Sequence, residues 1–309
     1  MHLVFAYGTL RRHESNARLL ADAERVAEQA WVHGTLYDTG CGYPALVCDS
    51  SPGNVPKKVY GELIRVTDEQ LAALDELEEY EEGSSDNHYE RVVGVVHTDR
   101  EDLEAYLYVY PPERAHGLAP IRSGDWKCYL RLPDPEEASV QYADEREGEG
   151  DGKRSWLYFA YGSCMDDQRF RQCGVHEWFQ DVIGRGVLRG YEIAFTHKSA
   201  QDGTGRADIL ETGGVVEGRV YRIGRRALAY LYAREGVREG AYRPTFVDVE
   251  VDGRKLTDVL TFTVVDKATE TPPPDWYAEE ILRGAWGVVS PEYYQYLVEK
   301  IGRLKKILR

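Results

Sequence analysis

An internal repeat constrains the fold of this chain more than any other feature of its sequence. The run FAYGT at residues 5–9 recurs 154 residues later as FAYGS at residues 159–163. A second block, GELIRV at residues 61–66, aligns 157 residues later with GRVYRI at residues 218–223, and an apolar helical pattern follows each block. Two blocks in the same order, with nearly equal offsets, predict that the chain contains two copies of one domain.

The segment between the copies has the composition of a linker. Residues 134–154 are acidic, contain glycine and carry few large apolar side chains, a pattern typical of a solvated connection. We therefore predict a first domain over residues 1–133 and a second domain over residues 155–309. The second domain is the larger, because it ends in a helical extension that begins near residue 274.

Strand and helix signals follow the same order in both copies. Each copy opens with a short apolar run that predicts a buried strand stopped by a glycine. One amphipathic helix is predicted in each copy, over residues 68–77 and 225–234. Further strands rich in Val, Tyr and Leu are predicted at 31–37, 59–66, 90–97 and 103–110 in the first copy, and at 187–196, 214–223, 245–251 and 259–265 in the second.

The charge and residue composition of the chain argue against several classes of binding partner. The formal net charge of −15 and the pI near 5.1 argue against a surface for nucleic acid or anionic membrane, which would need clustered basic residues. No segment approaches the run of about 20 apolar residues that a membrane span requires. Five cysteines without a C-x-x-C pair favour neither a disulfide framework nor a thiolate metal site. We expect a soluble, cytoplasmic protein with a small-molecule partner and no metal.

A Tyr-Gly-hydroxyl sequence directly follows the opening strand of each copy. A strand delivers its last residues to the rim of a sheet, and glycine lets the backbone approach a ligand closely. Free N–H groups after the turn can hold a carboxylate or a developing oxyanion. The candidate ligand-binding residues are Tyr7, Gly8 and Thr9 in the first copy, and Tyr161, Gly162 and Ser163 in the second.

An acidic residue follows the predicted helix in each copy. Glu78 and Glu235 each lie 17 residues after the glycine that opens the second block, and they persist although the residues at 75 and 76 are replaced in the second copy. A carboxyl at the end of an apolar helix is partly desolvated, which raises its pKa toward the value useful for acid/base work. Glu78 and Glu235 are therefore the candidate proton-transfer residues.

At this point the ordered motifs resemble a known family. The second half resembles γ-glutamylcyclotransferases through YFAYGS (158–163), LYAREGV (231–237), PDWY (274–277) and PEY (291–293). The first half resembles the branch that includes γ-glutamylamine cyclotransferases, through YGTL (7–10), GTLY (34–37), YPA (43–45), YGE (60–62), LDELE (74–78), YER (89–91) and GDW (124–126).

The resemblance implies an α+β fold in which each domain is a small mixed β-barrel with flanking helices. It implies conversion of a γ-glutamyl amide into 5-oxoproline and a free amine, by intramolecular amide cleavage without metal or cofactor. By position, Glu235 and Glu78 would be the catalytic acid/bases. The glutamyl end of the substrate would be held by Tyr161, Gly162, Ser163 and Cys164 in the second copy, and by Tyr7, Gly8, Thr9 and Leu10 in the first.

Three departures from the family pattern bear on the substrate. Glu79 stands where the family usually has glycine, Tyr232 replaces the usual Asp, and Cys164 replaces the usual Asn or Leu. Because like charges favour protonation, Glu79 is expected to make Glu78 a less available base. We therefore expect the second copy to carry most activity on γ-glutamyl amino acids and the first to act on bulkier γ-glutamyl amines. Aromatic residues near the end of the chain would cover the second pocket: Trp276, Tyr277 and Trp286.

Two other interpretations remain open at this stage. Cys164 could act as a thiol nucleophile with His176 or His197 as its base, although the first copy has Leu10 at the matched position. Alternatively, one or both domains could bind a γ-glutamyl ligand or a protein without turning it over, because fold does not fix function.

Overall fold

The computed structural model describes residues 1–48, 57–141 and 154–307. The chain forms two compact units, Met1–Leu132 and Pro133–Arg309, which we call domain 1 and domain 2.

Domain 1 is mainly β-structure. Its strands are β1 (His2–Ala6), β2 (Glu24–His33), β3 (Thr35–Asp38), β4 (Pro44–Val47), β5 (Lys58–Val66), β6 (Glu90–His97), β7 (Asp102–Val109) and β8 (Ala119–Pro120). Its helices are α1 (Asp68–Leu77), α2 (Trp126–Arg131) and a short 3-10 turn at Ala17–Leu20.

Five of these strands close a barrel in the order β1-β5-β2-β6-β7. The neighbours pair antiparallel, except that β7 returns to β1 in parallel, with Val4 opposite Tyr106. Strands β4, β3 and β8 form a small separate sheet. The parallel closure places the end of β1 beside β7, and both strands border the loop that follows residue 6.

The opening strand is buried on both faces, which explains its uninterrupted apolar sequence. Phe5 packs in a cluster with Leu63, Leu107 and Trp126. Its neighbours Val4 and Ala6 belong to a second cluster that contains Leu71 and Leu74 of α1. Alternate residues of β1 thus join the barrel strands to the helix that carries Glu78.

Domain 2 repeats this plan with more helix. Its strands are β9 (Trp156–Ala160), β10 (Val182–Arg189), β11 (Glu192–Lys198), β12 (Gly205–Leu210), β13 (Val215–Ile223), β14 (Tyr242–Val251) and β15 (Arg254–Val264). Its helices are α3 (Pro135–Gln141), α4 (Asp167–Gln172), α5 (Arg225–Arg234), α6 (Asp275–Ala285) and α7 (Pro291–Ile307), with 3-10 turns at Ser163–Met165 and His176–Phe179.

The second barrel has the connectivity and the register of the first. Its ring, β9-β13-β10-β14-β15, also closes through one parallel pair, here β15 with β9. Tyr158 lies opposite Leu260, and both residues are 154 positions after their counterparts Val4 and Tyr106. The sequence repeat is therefore a repeat of strand pairing as well.

A glycine beneath a phenylalanine ring recurs at the same place in both barrels. A Cβ on Gly61 would lie 2.4 Å from the Ala6 carbonyl oxygen and 2.8 Å from the Phe5 ring. On Gly218 it would lie 2.2 Å from the Ala160 carbonyl oxygen and 2.8 Å from the Phe159 ring. The first residue of the GELIRV block and of its repeat is glycine because the opening strand lies directly against it.

The predicted α+β fold with two mixed barrels is confirmed, and both amphipathic helices have the predicted bounds. Two predicted strands, 31–37 and 187–196, are each two strands, broken at a glycine. A Cβ on Gly34 would lie 2.7 Å from the Val47 carbonyl oxygen, and Gly190 has a φ of 86°. The close approach of the Val47 carbonyl at Gly34 ends the first strand, and the left-handed turn at Gly190 ends the second. The apolar content of the sequence alone predicts neither feature.

The start of the predicted linker is ordered. Helix α3 lies within residues 134–154. The Arg238 guanidinium donates to the carbonyl oxygens of Pro135 and Glu136, at 3.0 Å in both cases. The Tyr232 hydroxyl donates to the Pro133 carbonyl at 3.2 Å. These contacts attach the segment to domain 2, and residues 142–153 lie outside the described residues.

None of the helices in the described part of the chain has the length and apolarity needed to cross a membrane.

We expect Gly218→Ala to destabilise domain 2 by about 1–3 kcal/mol, because the new methyl group overpacks the contact with Ala160 and Phe159. Thermal and urea unfolding followed by circular dichroism would measure the loss. Gly302→Ala is the matched control: it lies within α7 with nothing near its Cβ position, so it should leave stability unchanged or raise it by up to about 1 kcal/mol. Equal stability of the two variants would contradict the packing argument.

Candidate active site

The two candidate glutamates occupy the same position at a helix end. Glu78 caps the C-terminus of α1 and Glu235 that of α5, and their N–H groups donate to Leu74 and Leu231 carbonyls at 2.9 and 2.8 Å. The next residue is left-handed in both domains, with a φ of 51° at Glu79 and 59° at Gly236. This conformation ends each helix and turns the chain away just after the glutamate. Glycine adopts it freely, whereas a glutamate costs about 1 kcal/mol there.

The tyrosine of each Tyr-Gly loop forms a hydrogen bond with the backbone of the barrel. The Tyr7 hydroxyl donates to the Tyr108 carbonyl at 2.7 Å, and the Tyr161 hydroxyl donates to the Phe262 carbonyl at 2.7 Å. Both rings are buried. The hydroxyl groups hold the loop against the last strand of the barrel, so these tyrosines position the loop.

The loop glycine is required by the protein's own packing. A Cβ on Gly8 would lie 2.8 Å from the Pro44 ring, and one on Gly162 would lie 3.3 Å from the Ala207 side chain. The role predicted from the sequence, close approach of a ligand to this glycine, stays a prediction. In the structure the neighbouring atoms belong to β4 and β12, which pack against the loop.

The residues after the glycine present backbone donors. Within the described residues, no hydrogen bond uses the N–H groups of Thr9 and Leu10, or those of Ser163 and Cys164. The hydroxyl oxygens of Thr9 and Ser163 do accept, from Asn16 at 3.0 Å and from Arg234 at 2.8 Å. Each loop therefore offers two adjacent N–H groups, a geometry suited to a carboxylate or an oxyanion.

An ion pair with a buried carboxylate lies at the exit of each loop. In domain 1 the Arg11 guanidinium, only 3% exposed, donates to Asp125 at 2.8 Å. In domain 2 the buried Asp166 accepts from Arg283 of α6, at 3.1 Å from Nε, although the Arg283 side chain itself is partly exposed. Removing either arginine would take a cation from a buried carboxylate, so both pairs stabilise the loop exits.

A cavity of about 300 Å³ in domain 1 brings the predicted residues together. The whole Tyr-Gly-Thr-Leu loop lines it, as does Glu78 on the side of α1. The remaining wall includes the aromatic rings of Tyr43, His88, Tyr89 and Tyr108. Each site residue predicted for domain 1 therefore contributes to a single cavity.

Burial raises the pKa of Glu78 to about 7. Apolar side chains that line the same cavity, Leu10 and Leu77 among them, cannot solvate the charged form of the carboxyl. The desolvation predicted for a carboxyl at the end of an apolar helix is the cause of this shift, and the charge of Glu79 is not among its causes.

The corresponding carboxyl in domain 2 has polar neighbours. The Cys164 thiol donates to Glu235 Oε1 at 3.6 Å, and Arg234 Nε lies 3.9 Å from the same oxygen. Burial raises the pKa of Glu235, while Arg234 and Cys164 act in the opposite direction. Cys164 and Arg234 occupy the positions of Leu10 and Leu77, so the two sites share a frame and differ in electrostatics.

The thiol nucleophile interpretation is disfavoured by these contacts. Burial raises the pKa of Cys164 to about 11, so the thiol is protonated at neutral pH and is a weak nucleophile. It donates its proton toward Glu235, and the His197 ring lies against Tyr242, with ring centroids 5.2 Å apart.

A second pair of tyrosines at matched positions, Tyr89 and Tyr242, was not predicted from the sequence. The Tyr89 hydroxyl donates to the Pro44 carbonyl at 2.9 Å, and the Tyr242 hydroxyl donates to the Ala207 carbonyl at 2.7 Å. Tyr89 directly precedes β6 and Tyr242 is the first residue of β14, the strands that pair with the last strand of each barrel. Each hydroxyl connects this strand to the strand beside the loop glycine. Their offset of 153 residues is the signal that could have revealed them.

Of the three aromatic residues expected to cover the second pocket, one lies at the site. The Tyr277 hydroxyl accepts from the Ala207 N–H at 3.2 Å and would lie 3.7 Å from a Cβ on Gly162. Trp276 and Trp286 are 49% and 73% exposed. Tyr277 therefore lies against the loop, whereas the two tryptophans point largely to solvent.

The unusual Tyr232 is one of three linked replacements. In domain 1 Asp75 accepts from the Tyr108 hydroxyl at 2.7 Å and pairs with Arg91, which lies opposite Tyr108 in the sheet. The matched positions in domain 2 hold Tyr232, Phe262 and Pro244, and the Tyr232 and Phe262 rings pack edge to face, with centroids 6.2 Å apart. An aromatic pair thus replaces a polar network at one place beside the barrel.

Comparison with known proteins agrees with the repeat. The sequence model of the family described as "Gamma-glutamyl cyclotransferase, AIG2-like" matches residues 4–128, and that of the "AIG2-like family" matches residues 215–297. The Niallia circulans protein named "Gamma-L-glutamyl-butirosin B gamma-glutamyl cyclotransferase" is 34% identical over 127 residues, which cover 41% of this chain and 76% of that protein.

A full-length relative shares the tandem arrangement. The chain is 40% identical over 304 residues to the Bacillus subtilis (strain 168) protein named "Putative gamma-glutamylcyclotransferase YkqA", covering 98% of this chain and 99% of that one. The crystal structure of YkqA from Bacillus subtilis superposes with a TM-score of 0.78 at 38% identity, over 98% of both chains. The chain therefore belongs to the γ-glutamylcyclotransferase family, as a member with two such domains in tandem.

Proposed function

We propose that each domain converts γ-glutamyl amides into 5-oxoproline and a free amine, with Glu78 and Glu235 as the acid/bases. The observation that supports this most is the cavity of domain 1, where a carboxyl with a pKa of about 7 shares the wall with the loop bearing two unused N–H groups. A base whose pKa lies near the working pH is both available and strong enough to be effective.

The proposed reaction needs one carboxylate and the loop. Glu78 accepts a proton from the α-ammonium group of the substrate, and the freed amine attacks the γ-carbonyl carbon. A new C–N bond closes the five-membered ring, while the N–H groups after Gly8 stabilise the negative oxygen. As the bond to the leaving nitrogen breaks, Glu78 returns its proton to that nitrogen. The carboxylate then takes the second ammonium proton from the ring nitrogen and passes it to the released amine, which leaves as its ammonium form. Because the attack is intramolecular, holding the folded conformer supplies a large proximity advantage.

The two domains are proposed to differ in substrate. The glutamate in domain 1 borders a cavity of about 300 Å³ that includes several aromatic side chains, which suits a bulky amine portion. The name of the Niallia circulans relative specifies a γ-glutamyl derivative of butirosin B, so a large amine is compatible with the family. Domain 2 is proposed to act on γ-glutamyl amino acids, and its Glu235 lies among polar contacts from Arg234 and Cys164.

We expect Glu78→Gln to lower turnover of γ-glutamyl amines about 100-fold or more, and Glu235→Gln to do the same for γ-glutamyl amino acids, because Gln keeps the shape but carries no proton. Release of 5-oxoproline by the full-length chain, measured on a panel of both classes, would test this. Glu76→Gln, at an exposed position of α1, is the control and should retain activity. Binding of every compound without release would favour a non-catalytic module.

The pH dependence of domain 1 should follow Glu78. In a Glu235→Gln chain, kcat/KM for a γ-glutamyl amine should rise about tenfold per pH unit below pH 7 and level off above it, because only the ionised carboxylate accepts the proton. Initial rates between pH 5 and 8.5 would show this. A rate independent of pH over this range would exclude Glu78 as the base.

Glu78 should also reduce stability at high pH. Its folded pKa of about 7 lies above its ordinary value of 4.5, so the folded state holds the proton more tightly and loses stability as pH rises from about 4.5 through 7. Glu78→Gln should therefore raise the Tm relative to wild type more at pH 8 than at pH 5. Differential scanning calorimetry would measure this, and Glu76→Gln should give a small change that does not depend on pH. An equal Tm change at both pH values would show that the carboxyl is not desolvated.

A further inference from the structure

The two candidate sites differ in charge at the residue that precedes the glutamate. Domain 1 has Leu77 there, and domain 2 has Arg234 at the matched position 157 residues later. The Arg234 side chain is 15% exposed and that of Glu235 is 18% exposed. Domain 2 therefore holds a largely buried cation where domain 1 is apolar.

The hydrogen-bond partners of Arg234 are neutral, and its ion pair with Glu235 is long. Its Nη2 donates to the Ser163 hydroxyl at 2.8 Å and its Nε to the Cys164 thiol at 3.2 Å, and both partners are neutral. The nearest recorded carboxylate atom, Glu235 Oε1, is 3.9 Å from Nε, beyond hydrogen-bonding distance. A guanidinium has five N–H donors arranged to match a carboxylate. Among the described residues, these contacts use only two of them.

The comparison of domains indicates which part of a ligand Arg234 contacts. Both domains must hold the γ-glutamyl portion, and the residues that they share are the Tyr-Gly-hydroxyl loop and the glutamate. Arg234 has no cationic counterpart in domain 1, so the shared portion does not require it. A residue present in one domain only is suited to the portion in which the ligands differ, which is the amine.

We propose that Arg234 is the specificity-determining residue of domain 2, and that it binds a carboxylate on the amine portion of the substrate. This inference rests on the proposed function and assigns to domain 2 γ-glutamyl compounds that carry a free carboxylate beyond the amide. Domain 1, with Leu77, has no such requirement.

The proposed reaction gives this carboxylate an additional role. When Glu235 accepts the substrate proton it becomes neutral, and Arg234 then has only neutral protein partners. A buried cation without a counter-charge is unfavourable. A substrate carboxylate at Arg234 supplies that counter-charge throughout the reaction, so its loss affects kcat as well as KM.

The decisive comparison uses two compounds that differ only in this group, γ-glutamylalanine and γ-glutamylalaninamide. In the full-length chain with Glu78→Gln, kcat/KM should favour γ-glutamylalanine about tenfold or more, as expected for a charge-assisted pair. Adding Arg234→Leu should bring the ratio close to one, through loss on γ-glutamylalanine. Adding Arg189→Leu, which alters an exposed arginine of β10, should leave the ratio unchanged.

A reciprocal variant tests the proposal by gain of a property. In a Glu235→Gln chain, Leu77→Arg should give domain 1 a preference for the carboxylate compound. Retention of the preference in Arg234→Leu would overturn the proposal. Equal loss on both compounds would also overturn it, because Arg234 would then only hold Ser163 and Cys164 in place.

A binding measurement separates this proposal from the proposed function. In the Glu78→Gln, Glu235→Gln chain, methyl NMR signals of Leu231 would report ligand binding to domain 2, and those of Leu74 binding to domain 1. Tighter binding of γ-glutamylalanine than of its amide at domain 2, abolished by Arg234→Leu, supports the inference even if the wild type releases no 5-oxoproline. Turnover with no carboxylate preference would leave the proposed function standing and exclude the role of Arg234.

Discussion

Each candidate site depends on the parallel pairing that closes its barrel. The pairing of β1 with β7, and of β9 with β15, brings the end of the opening strand beside a carbonyl of the last strand. The buried hydroxyl of Tyr7 or Tyr161 then donates to that carbonyl. Without this bond a buried hydroxyl would lack a partner, and the loop would have no fixed direction. The N–H groups after the glycine face a defined place only because the strand before them is held in this way.

The other elements of each site pack against the loop that this hydrogen bond holds. The loop glycine lets β4 or β12 approach, and Tyr89 or Tyr242 holds that strand through a backbone carbonyl. The helix on the outer face of the opening strand ends where its next residue turns left-handed, which places the glutamate against the loop. The frame is therefore common to both domains. The residues beside the two glutamates differ in charge and polarity at two positions, Leu10 and Leu77 in one domain and Cys164 and Arg234 in the other.

The sequence predicted the frame better than it predicted the electrostatics. The repeat, the bounds of both amphipathic helices and the mixed barrels were accessible because they depend on local periodicity and on motifs in fixed order. The ends of β2 and β10 were missed because they depend on what approaches Gly34 and on the turn at Gly190. Desolvation of Glu78 was predicted from its position at a helix end, whereas the added effect expected from the neighbouring charge of Glu79 is not among the causes of its raised pKa.

The replacement of Asp75, Arg91 and Tyr108 by Tyr232, Pro244 and Phe262 has a consequence for how the two copies diverged after duplication. An intermediate with Phe at 108 alone would leave Asp75 without its hydroxyl donor, and one with Pro at 91 alone would leave the same carboxylate without its cation. Either of these single steps removes a partner from Asp75, while the complete set gives a packed pair of rings. The three positions are thus epistatic, and a chimera of the two domains would have to exchange them as a unit.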